Sequence, residues 1–264
     1  MNFNYSTQTL RDLSLEVYKD ENYKIGQIIH VRQNILLRQK FVVLDFVNNP
    51  KDAPGLEAIA FIHRNNKNRI FIVVKGSENR PIANELFNDW IRADFGELQG
   101  LSKPLQSTGL ETFVDRVFQR YSESKFVLVG HSLGGALIQK TFANNPERYE
   151  SAVGFSSANG YMLLSRTQQI LNDNGKYDLF INYYNQHDPI HYTPFAKNYV
   201  GRQAIVNDVL FPDARFDYRG DIYNNVTKLH NQEFMKFNWY GELNHTLTKE
   251  KTLNLRDFSK RFLS

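Results

Sequence analysis

The stretch FVLVGHSLGGAL, residues 126–137, decides the fold that we expect for the chain. Its first four residues are apolar, as in a strand buried on both faces, whereas GGAL and the residues that follow have the composition of a helix. Gly130 to Gly134 fit the pattern G-x-S-x-G, in which a serine stands at a sharp turn between a strand and a helix. The glycines leave room for the chain to pass beside the helix. Ser132 is therefore the predicted nucleophile.

The alternative is a glycine-rich turn in which Ser132 only caps the helix. The strand before the serine, the helix after it and the extra Gly135 favour the nucleophile. We expect the turn to lift the serine Oγ into solvent. The start of the helix directs free backbone N–H groups and the positive end of its dipole at an oxyanion, so the amide of Leu133 is the predicted first oxyanion donor.

The segments around this turn alternate between strand and helix patterns. A strand is predicted at 151–158, a helix at 160–175 and a strand at 177–188, with a helix from Thr108 and an antiparallel pair at 56–64 and 69–77 upstream. This order predicts an α/β fold with a mostly parallel central sheet and helices on both faces.

The ends of the chain are less regular. An amphipathic helix is predicted over 5–20, capped by Ser6 or Thr7, and a short closing helix from about Thr252. The segment 21–55 is ambiguous, and 192–240 is polar and rich in aromatic residues. Because no internal repeat or linker interrupts the chain, we expect a single domain over residues 1–264.

A serine at its ordinary pKa is a weak nucleophile, so it needs a histidine base and a carboxylate that orients the histidine. In this fold the acid follows the serine in the chain and the histidine comes last. Asp188 follows a predicted strand, where catalytic groups gather, whereas Asp178 stands at the opposite end of that strand. The alternative for Asp188 is a turn-forming Asp-Pro pair.

Three histidines follow Asp188. His191 is too close to it in sequence to reach the serine, and we expect it to shape the rim of the pocket. His245 is the predicted base because it lies in a loop after a glycine and before the closing helix, and His230 is the alternative. His131, inside the turn, is expected to pack beside the nucleophile.

These residues and their order in the chain resemble those of the class 3 lipases, the fungal-lipase-like branch of the α/β-hydrolases. GHSLGGAL matches the turn of that family, and IFIVVKGSENRP with LFNDWIRADF is similar to its strand that ends in an Arg-Gly-Thr-like tripeptide before a Trp-containing segment. The resemblance spans residues 56–190. It implies an oxyanion role for Ser77, although Lys75 and Ser77 replace the family's Arg and Thr. It also matches Asp188 and His245 to the family's acid and late histidine.

The resemblance implies a serine ester hydrolase that acts on lipid acyl esters. Triacylglycerol lipase, phospholipase A and short-chain esterase all stay open. A degenerate hydrolase fold that only binds a partner is the alternative from another class, and an acyltransferase or peptidase with the same triad is a third.

Apolar residues recur at helical spacing between Ser77 and Gly100. For a lipase this segment is a lid or part of an acyl site that turns onto lipid, with transient contact to a membrane or lipid interface. The alternative is an ordinary amphipathic helix packed on the core. The residues assigned to the lid or acyl site are Phe87, Trp90, Ile91 and Phe95.

The composition removes several classes of function. Cysteine is absent, which excludes a thiolate nucleophile and disulfides. The 32 Lys and Arg against 28 Asp and Glu form no long run of like charge, so no nucleic-acid partner is expected. No metal site is expected either, because Pro212 and Gly220 interrupt the spacing of Asp213, Asp217 and Asp221. The predicted chemistry needs no cofactor.

The sequence also bears on where the protein acts. No stretch approaches the roughly 18 apolar residues of a membrane-spanning helix, and the N-terminus lacks the pattern of a Sec signal peptide. We therefore expect a cytoplasmic protein or one exported by a leaderless route.

Overall fold

A computed structural model describes residues 5–19, 22–76, 105–185, 188, 191, 198–207, 232 and 235–247. Nine strands of these residues form one sheet in which the order across the sheet follows the order along the chain. The strands are β1 (Ile28–Arg32), β2 (Arg38–Asn48), β3 (Glu57–His63), β4 (Asn66–Val74), β5 (Lys125–His131), β6 (Tyr149–Phe155), β7 (Phe180–Tyr184), β8 (Arg202–Val206) and β9 (His245–Leu247). The α-helices are α1 (Thr7–Glu16), α2 (Leu105–Arg120), α3 (Leu133–Asn144) and α4 (Arg166–Asp173).

The sheet is mixed, with a parallel centre. Strands β4 to β8 are parallel neighbours, whereas β1 to β4 pair antiparallel and β9 returns antiparallel to β8. The parallel strands follow from the predicted alternation of strand and helix, since α3 lies between β5 and β6 and α4 between β6 and β7. The predicted α/β-hydrolase fold is confirmed. That the whole chain forms one domain stays a prediction.

Helices cover both faces of the sheet, as predicted. On one face, Leu110 and Phe113 of α2 join Phe142 of α3 in a core with the strands. On the other face, Leu13 of α1 and Val17, the residue directly after α1, pack in a second core. Each fully buried Leu or Phe side chain stabilises the fold by about 1.5–3 kcal/mol relative to an exposed one.

The first helix begins where its cap was predicted. Ser6 is the N-cap of α1, and its hydroxyl accepts a hydrogen bond from the backbone N–H of Thr9 at 3.2 Å. That bond satisfies one of the N–H groups that a helix start leaves unpaired. The cap fixes where α1 begins and so where its apolar face meets the sheet.

Three strands lie in segments where the sequence shows no clear strand pattern. β1 and β2 occupy the ambiguous segment 21–55, and β8 lies within the polar region 192–240. In β2 the buried side of the strand includes the charged Asp45, which forms ion pairs with Arg116 and Arg120 of α2 at 2.9 and 3.1 Å. A charge at an inward position breaks the apolar alternation by which a strand is recognised.

None of the helices in the described ranges is long and apolar enough to cross a membrane.

Candidate active site

The predicted turn between strand and helix is present. Strand β5 ends at His131 and α3 begins at Leu133, with Ser132 between them at φ 54° and ψ −126°. A positive φ is strained for any residue with a side chain, and it matches the strain of a nucleophile turn. The Ser132 side chain makes no capping hydrogen bond to α3. Ser132 thus stands at the N-cap position of α3 without capping the helix through its side chain.

The glycines around Ser132 are required by close approaches of the backbone. A Cβ on Gly130 would lie 2.7 Å from the carbonyl oxygen of Gly134, and one on Gly134 would lie 2.6 Å from that of Lys75. A side chain on Gly135 would overlap Ser157. Each distance is shorter than a carbon atom tolerates, so these glycines let α3 start directly against the ends of β4 and β6.

The expectation that Ser132 is open to solvent is wrong. The residue is only 4% exposed. Gly76, just beyond β4, contributes to this burial. A Cβ on Gly76 would lie only 2.7 Å from the Cβ of Ser132. The turn strains the serine backbone and at the same time holds it beneath the end of a neighbouring strand.

Of the two predicted oxyanion donors, only Leu133 lies in the described residues. Leu133 is the first residue of α3, where backbone N–H groups have no partner within the helix. Ser77 lies outside the described residues, but it directly follows Gly76, which packs on Ser132. The preceding Lys75 is buried and forms an ion pair with Glu57 at 2.8 Å. The role of Ser77 in the oxyanion hole stays a prediction.

A residue that sequence analysis missed connects these two elements. The hydroxyl of Tyr18, just beyond α1, accepts a hydrogen bond from the backbone N–H of Gly76 at 2.8 Å and lies 2.7 Å from Nδ1 of His131. Burial raises the pKa of the Tyr18 phenol above its ordinary value. The protonated hydroxyl can therefore accept from Gly76 and donate to His131 at once, which gives each of these polar groups a partner.

Asp188 lies at the edge of the sheet that a catalytic acid requires. It follows the carboxyl end of β7, is fully buried, and donates its backbone N–H to the carbonyl of Asn185 at 2.9 Å. The register aligns His131 with Phe155 and Phe155 with Tyr183, so β5 and β7 end at the same edge. The two strands are roughly 10 Å apart across the sheet. Ser132 and Asp188 therefore follow strands that are two positions apart and end at one edge of the sheet.

His191 is a buried core residue, and the expectation that it shapes a pocket rim is wrong. Its ring is stacked between Tyr184 and Tyr199, with centroids 3.5 and 4.7 Å away. The Asn182 amide nitrogen lies 3.0 Å from its Nδ1. Burial lowers the pKa of His191 to about 3, against the opposing effect of a hydrogen bond to the Ser157 backbone. His191 is therefore neutral, and these contacts fasten the chain three residues beyond Asp188.

His245 lies at the same edge of the sheet, in a strand where a loop was predicted. It is the first residue of β9 and pairs with Val206 at the end of β8. Its exposed ring meets Tyr183 edge-on at 5.2 Å, and its Nδ1 lies 3.0 Å from the carbonyl of Leu243. Within the described residues it forms no hydrogen bond to Ser132 or Asp188. His230 lies outside those residues.

Two further sets of sequence predictions fall outside the described residues. They are the lid or acyl-site residues Phe87, Trp90, Ile91 and Phe95, and the carboxylates Asp213, Asp217 and Asp221. In the ranges that are described, no three His, Asp or Glu side chains gather in a way that suits a metal ion.

Solved structures resemble this arrangement of strands and helices. The Lip2 lipase from Yarrowia lipolytica matches with a TM-score of 0.51 and 13% identity, over 78% of this chain and 79% of that one. The fold is that of the fungal lipases. A second structure, described as a fungal lipase, matches with a TM-score of 0.50 and 12% identity, over 77% of this chain and 82% of that one. The predicted resemblance is thus confirmed for the fold. No protein-family model and no curated protein sequence matches the chain.

Proposed function

We propose that the chain is a serine ester hydrolase that cleaves acyl ester bonds of lipids. The observation that carries the proposal is the strained backbone of Ser132, between the end of a parallel strand and the first residue of a helix. Such a conformation costs about 1–3 kcal/mol, and here it places the serine at the start of a helix whose free backbone N–H groups can hold an oxyanion. The fold it shares with two lipases agrees with an ester as the substrate.

The proposed reaction proceeds through an acyl-enzyme. Ser132 Oγ attacks the carbonyl carbon of the ester while a histidine takes the hydroxyl proton, and the carbonyl oxygen becomes an oxyanion. The backbone N–H groups of Leu133 and Ser77 hold that oxyanion. The histidine then gives its proton to the leaving alcohol as the carbon–oxygen bond breaks. Water, deprotonated by the same histidine, attacks the acyl-enzyme and releases the fatty acid and Ser132.

Asp188 is the proposed acid and His245 the proposed base. Asp188 is fully buried at the carboxyl edge, where its carboxylate can orient an imidazole and stabilise it when charged. His245 starts β9 at the same edge, but its Nδ1 has to exchange the Leu243 carbonyl for Asp188 before it can act. His230 is the alternative base. Variants of the two histidines distinguish them.

The test is hydrolysis of a panel of esters by the purified chain and by the variant Ser132→Ala. Triglycerides, phospholipids and short-chain esters in the panel separate lipase, phospholipase and esterase activity. Added alcohols and peptide substrates separate acyl transfer and peptidase activity from hydrolysis.

Ser156→Ala is the matched control, because Ser156 is also buried and also has a positive φ, at the end of β6. We expect activity to be lost only in Ser132→Ala. Equal hydrolysis by wild type and Ser132→Ala contradicts the proposal.

One observation favours a second candidate function, a degenerate hydrolase fold that binds a ligand without cleaving it. Nδ1 of His245, the atom that a catalytic acid would hold, lies 3.0 Å from a backbone carbonyl instead. This second function becomes the better account if the purified chain cleaves no ester in the panel and if His245→Ala and His230→Ala both fold as stably as the parent protein.

A further inference from the structure

The part of the β1–β2 hairpin around its tip carries charge of one sign. From Lys24 to Leu44 the sequence contains no Asp or Glu. The basic side chains of this stretch are all exposed, and they are Lys24, His30, Arg32, Arg38 and Lys40. A surface built in this way attracts anions, because no carboxylate within residues 24–44 neutralises it and Asp45, the next residue, is already paired with Arg116 and Arg120.

The register of the hairpin places these residues against one another. Arg32 pairs directly with Arg38, and His30 with Lys40. Like charges on directly opposite residues of two strands, as in the pair Arg32 and Arg38, destabilise their pairing. Arg32 is compensated by Asp12 at 2.8 Å, but neither Arg38 nor Lys40 forms an ion pair with any residue in the described ranges. An anionic partner would relieve this repulsion.

The tip of the hairpin is apolar and exposed. Ile35, Leu36 and Leu37 are 65%, 72% and 59% exposed. The Asn34 side-chain oxygen accepts hydrogen bonds from the backbone N–H groups of Leu36 and Leu37, both at 2.9 Å. The loop thus has a defined turn that holds three large apolar side chains in solvent, where they contribute nothing to the core.

Two exposed aromatic residues lie beside this tip. Trp239 and Tyr240 are 61% and 74% exposed, in a turn that ends at Gly241. Gly241 packs against the carbonyl of Gln33, where a Cβ would overlap the oxygen. Ile35 and Trp239 line one cleft of about 700 Å³. The tip and the turn therefore form one surface, the docking patch, made of Ile35, Leu36, Leu37, Trp239 and Tyr240.

We propose that the docking patch, with Arg38 and Lys40 behind it, binds the surface of an anionic phospholipid bilayer. Large aliphatic side chains enter the outer edge of the acyl region, and Trp and Tyr favour the headgroup level because their rings are partly polar. The cations of the hairpin complement the negative headgroups. Glu242, the acid next to this turn, already accepts hydrogen bonds from the backbone and the hydroxyl of Thr7.

This docking agrees with the proposed function, since it would bring a lipid hydrolase to its substrate, but it does not depend on Ser132. The docking patch also shares no residue with the predicted lid at 77–100. The sequence contains two tryptophans, Trp90 and Trp239. Replacing Trp90 by Phe leaves Trp239 as the sole tryptophan and makes the docking patch visible by fluorescence.

The experiment uses the full chain with Trp90→Phe and Ser132→Ala, so that vesicle lipids are not cleaved. Vesicles of phosphatidylcholine alone are compared with vesicles that also contain phosphatidylglycerol. We expect the Trp239 emission to shift to shorter wavelength, and to be quenched by brominated acyl chains, only with the anionic vesicles. High salt should weaken the binding, because the attraction between exposed charges is screened.

Substitutions in the hairpin separate the two contributions. Arg38→Gln with Lys40→Gln should weaken binding to anionic vesicles about 30-fold, from the usual contribution of a basic residue near such a surface. Leu36→Ser with Leu37→Ser should abolish the emission shift. The matched controls are Lys51→Gln and Leu179→Ser, which change an exposed cation and an exposed apolar residue outside the patch. Both controls should bind like the parent protein.

Three results would overturn the proposal. They are an unchanged Trp239 emission with anionic vesicles, equal binding to neutral and anionic vesicles, and a dimer in sedimentation that Leu36→Ser dissociates. The last result would assign the patch to a second copy of the chain. If Ser132 fails to react with an active-site probe while Trp239 still responds to anionic vesicles, the proposed function fails and the docking proposal stands.

Discussion

The hydroxyl of Tyr18 lies 2.7 Å from Nδ1 of His131 and accepts the backbone N–H of Gly76 at 2.8 Å. His131 directly precedes the proposed nucleophile, and Gly76 directly precedes Ser77, the proposed oxyanion residue. One phenol from the N-terminal segment therefore couples the position of Ser132 to the position of the strand end beside it. Precise placement of these two elements matters because catalysis depends on the distance between nucleophile and oxyanion donors.

Replacing Tyr18 by Phe tests this coupling. The variant loses two hydrogen bonds of about 1 kcal/mol each, so we expect kcat on a soluble ester to fall by up to roughly 30-fold with little change in KM. Tyr23→Phe is the matched control, because the Tyr23 hydroxyl donates to the Glu16 carbonyl at 2.7 Å at the end of the same helix. That variant should lose a similar amount of stability and keep its activity. Equal activity of Tyr18→Phe and wild type, per folded molecule, contradicts a positioning role for Tyr18.

The identity of the base is tested with His245→Ala and His230→Ala. We expect His245→Ala to lower kcat/KM by several orders of magnitude, because the serine proton then has no acceptor. His230→Ala should retain activity. Both variants are compared by ester hydrolysis and by thermal unfolding. The reverse pattern transfers the role to His230 and leaves His245 as an exposed residue that packs on Tyr183.

The acid is tested with Asp188→Asn, which preserves the shape of the side chain. Loss of the negative charge leaves the histidine wrongly oriented and its charged form unsupported, so we expect a loss of kcat of about three to four orders of magnitude. Asp178→Asn is the control, since Asp178 is exposed and precedes β7. An Asp188→Asn variant that folds and hydrolyses esters at the rate of wild type would restrict Asp188 to a turn-forming role.

The sequence was sufficient to predict the nucleophile turn and the centre of the sheet, because these depend on local pattern. Gly130, Ser132 and Gly134 are close in sequence, and the central strands are continuous apolar runs. Both signals reflect constraints that act over a few residues, namely close backbone approach and burial on two faces.

The sequence did not predict features that depend on contacts between distant segments. The hydrogen bond between Tyr18 and His131 joins residues 113 positions apart. His191 is buried because Tyr184 and Tyr199 enclose it, and Asp45 is tolerated inside β2 because α2 supplies two arginines. In the sequence, a buried polar residue cannot be distinguished from a surface residue until its hydrogen-bond or ion-pair partner is known.

The burial of His191 predicts how the free energy of unfolding depends on pH. Its pKa in the folded protein is about 3, whereas an unfolded histidine has a pKa of about 6.5. Between these values the unfolded chain binds one more proton, so stability falls as pH falls, by about 1.4 kcal/mol per pH unit from this group alone.

His191→Phe should keep the ring stacking and flatten the dependence by that amount, as measured by urea unfolding between pH 4 and pH 7. The exposed His30→Asn is the control and should leave the slope unchanged. A slope unaltered in His191→Phe would mean that His191 is protonated or accessible in the folded protein.

The assignment of Ser132 as the nucleophile is tested by reaction of the purified chain with a fluorophosphonate probe, read by intact mass and peptide mapping. The experiment is repeated with detergent or lipid present, because Ser132 is only 4% exposed. We expect one adduct, on Ser132, that disappears in Ser132→Ala and persists in Ser156→Ala. No adduct under either condition, or an adduct on another serine, would contradict the assignment of Ser132 as the nucleophile of an ester hydrolase.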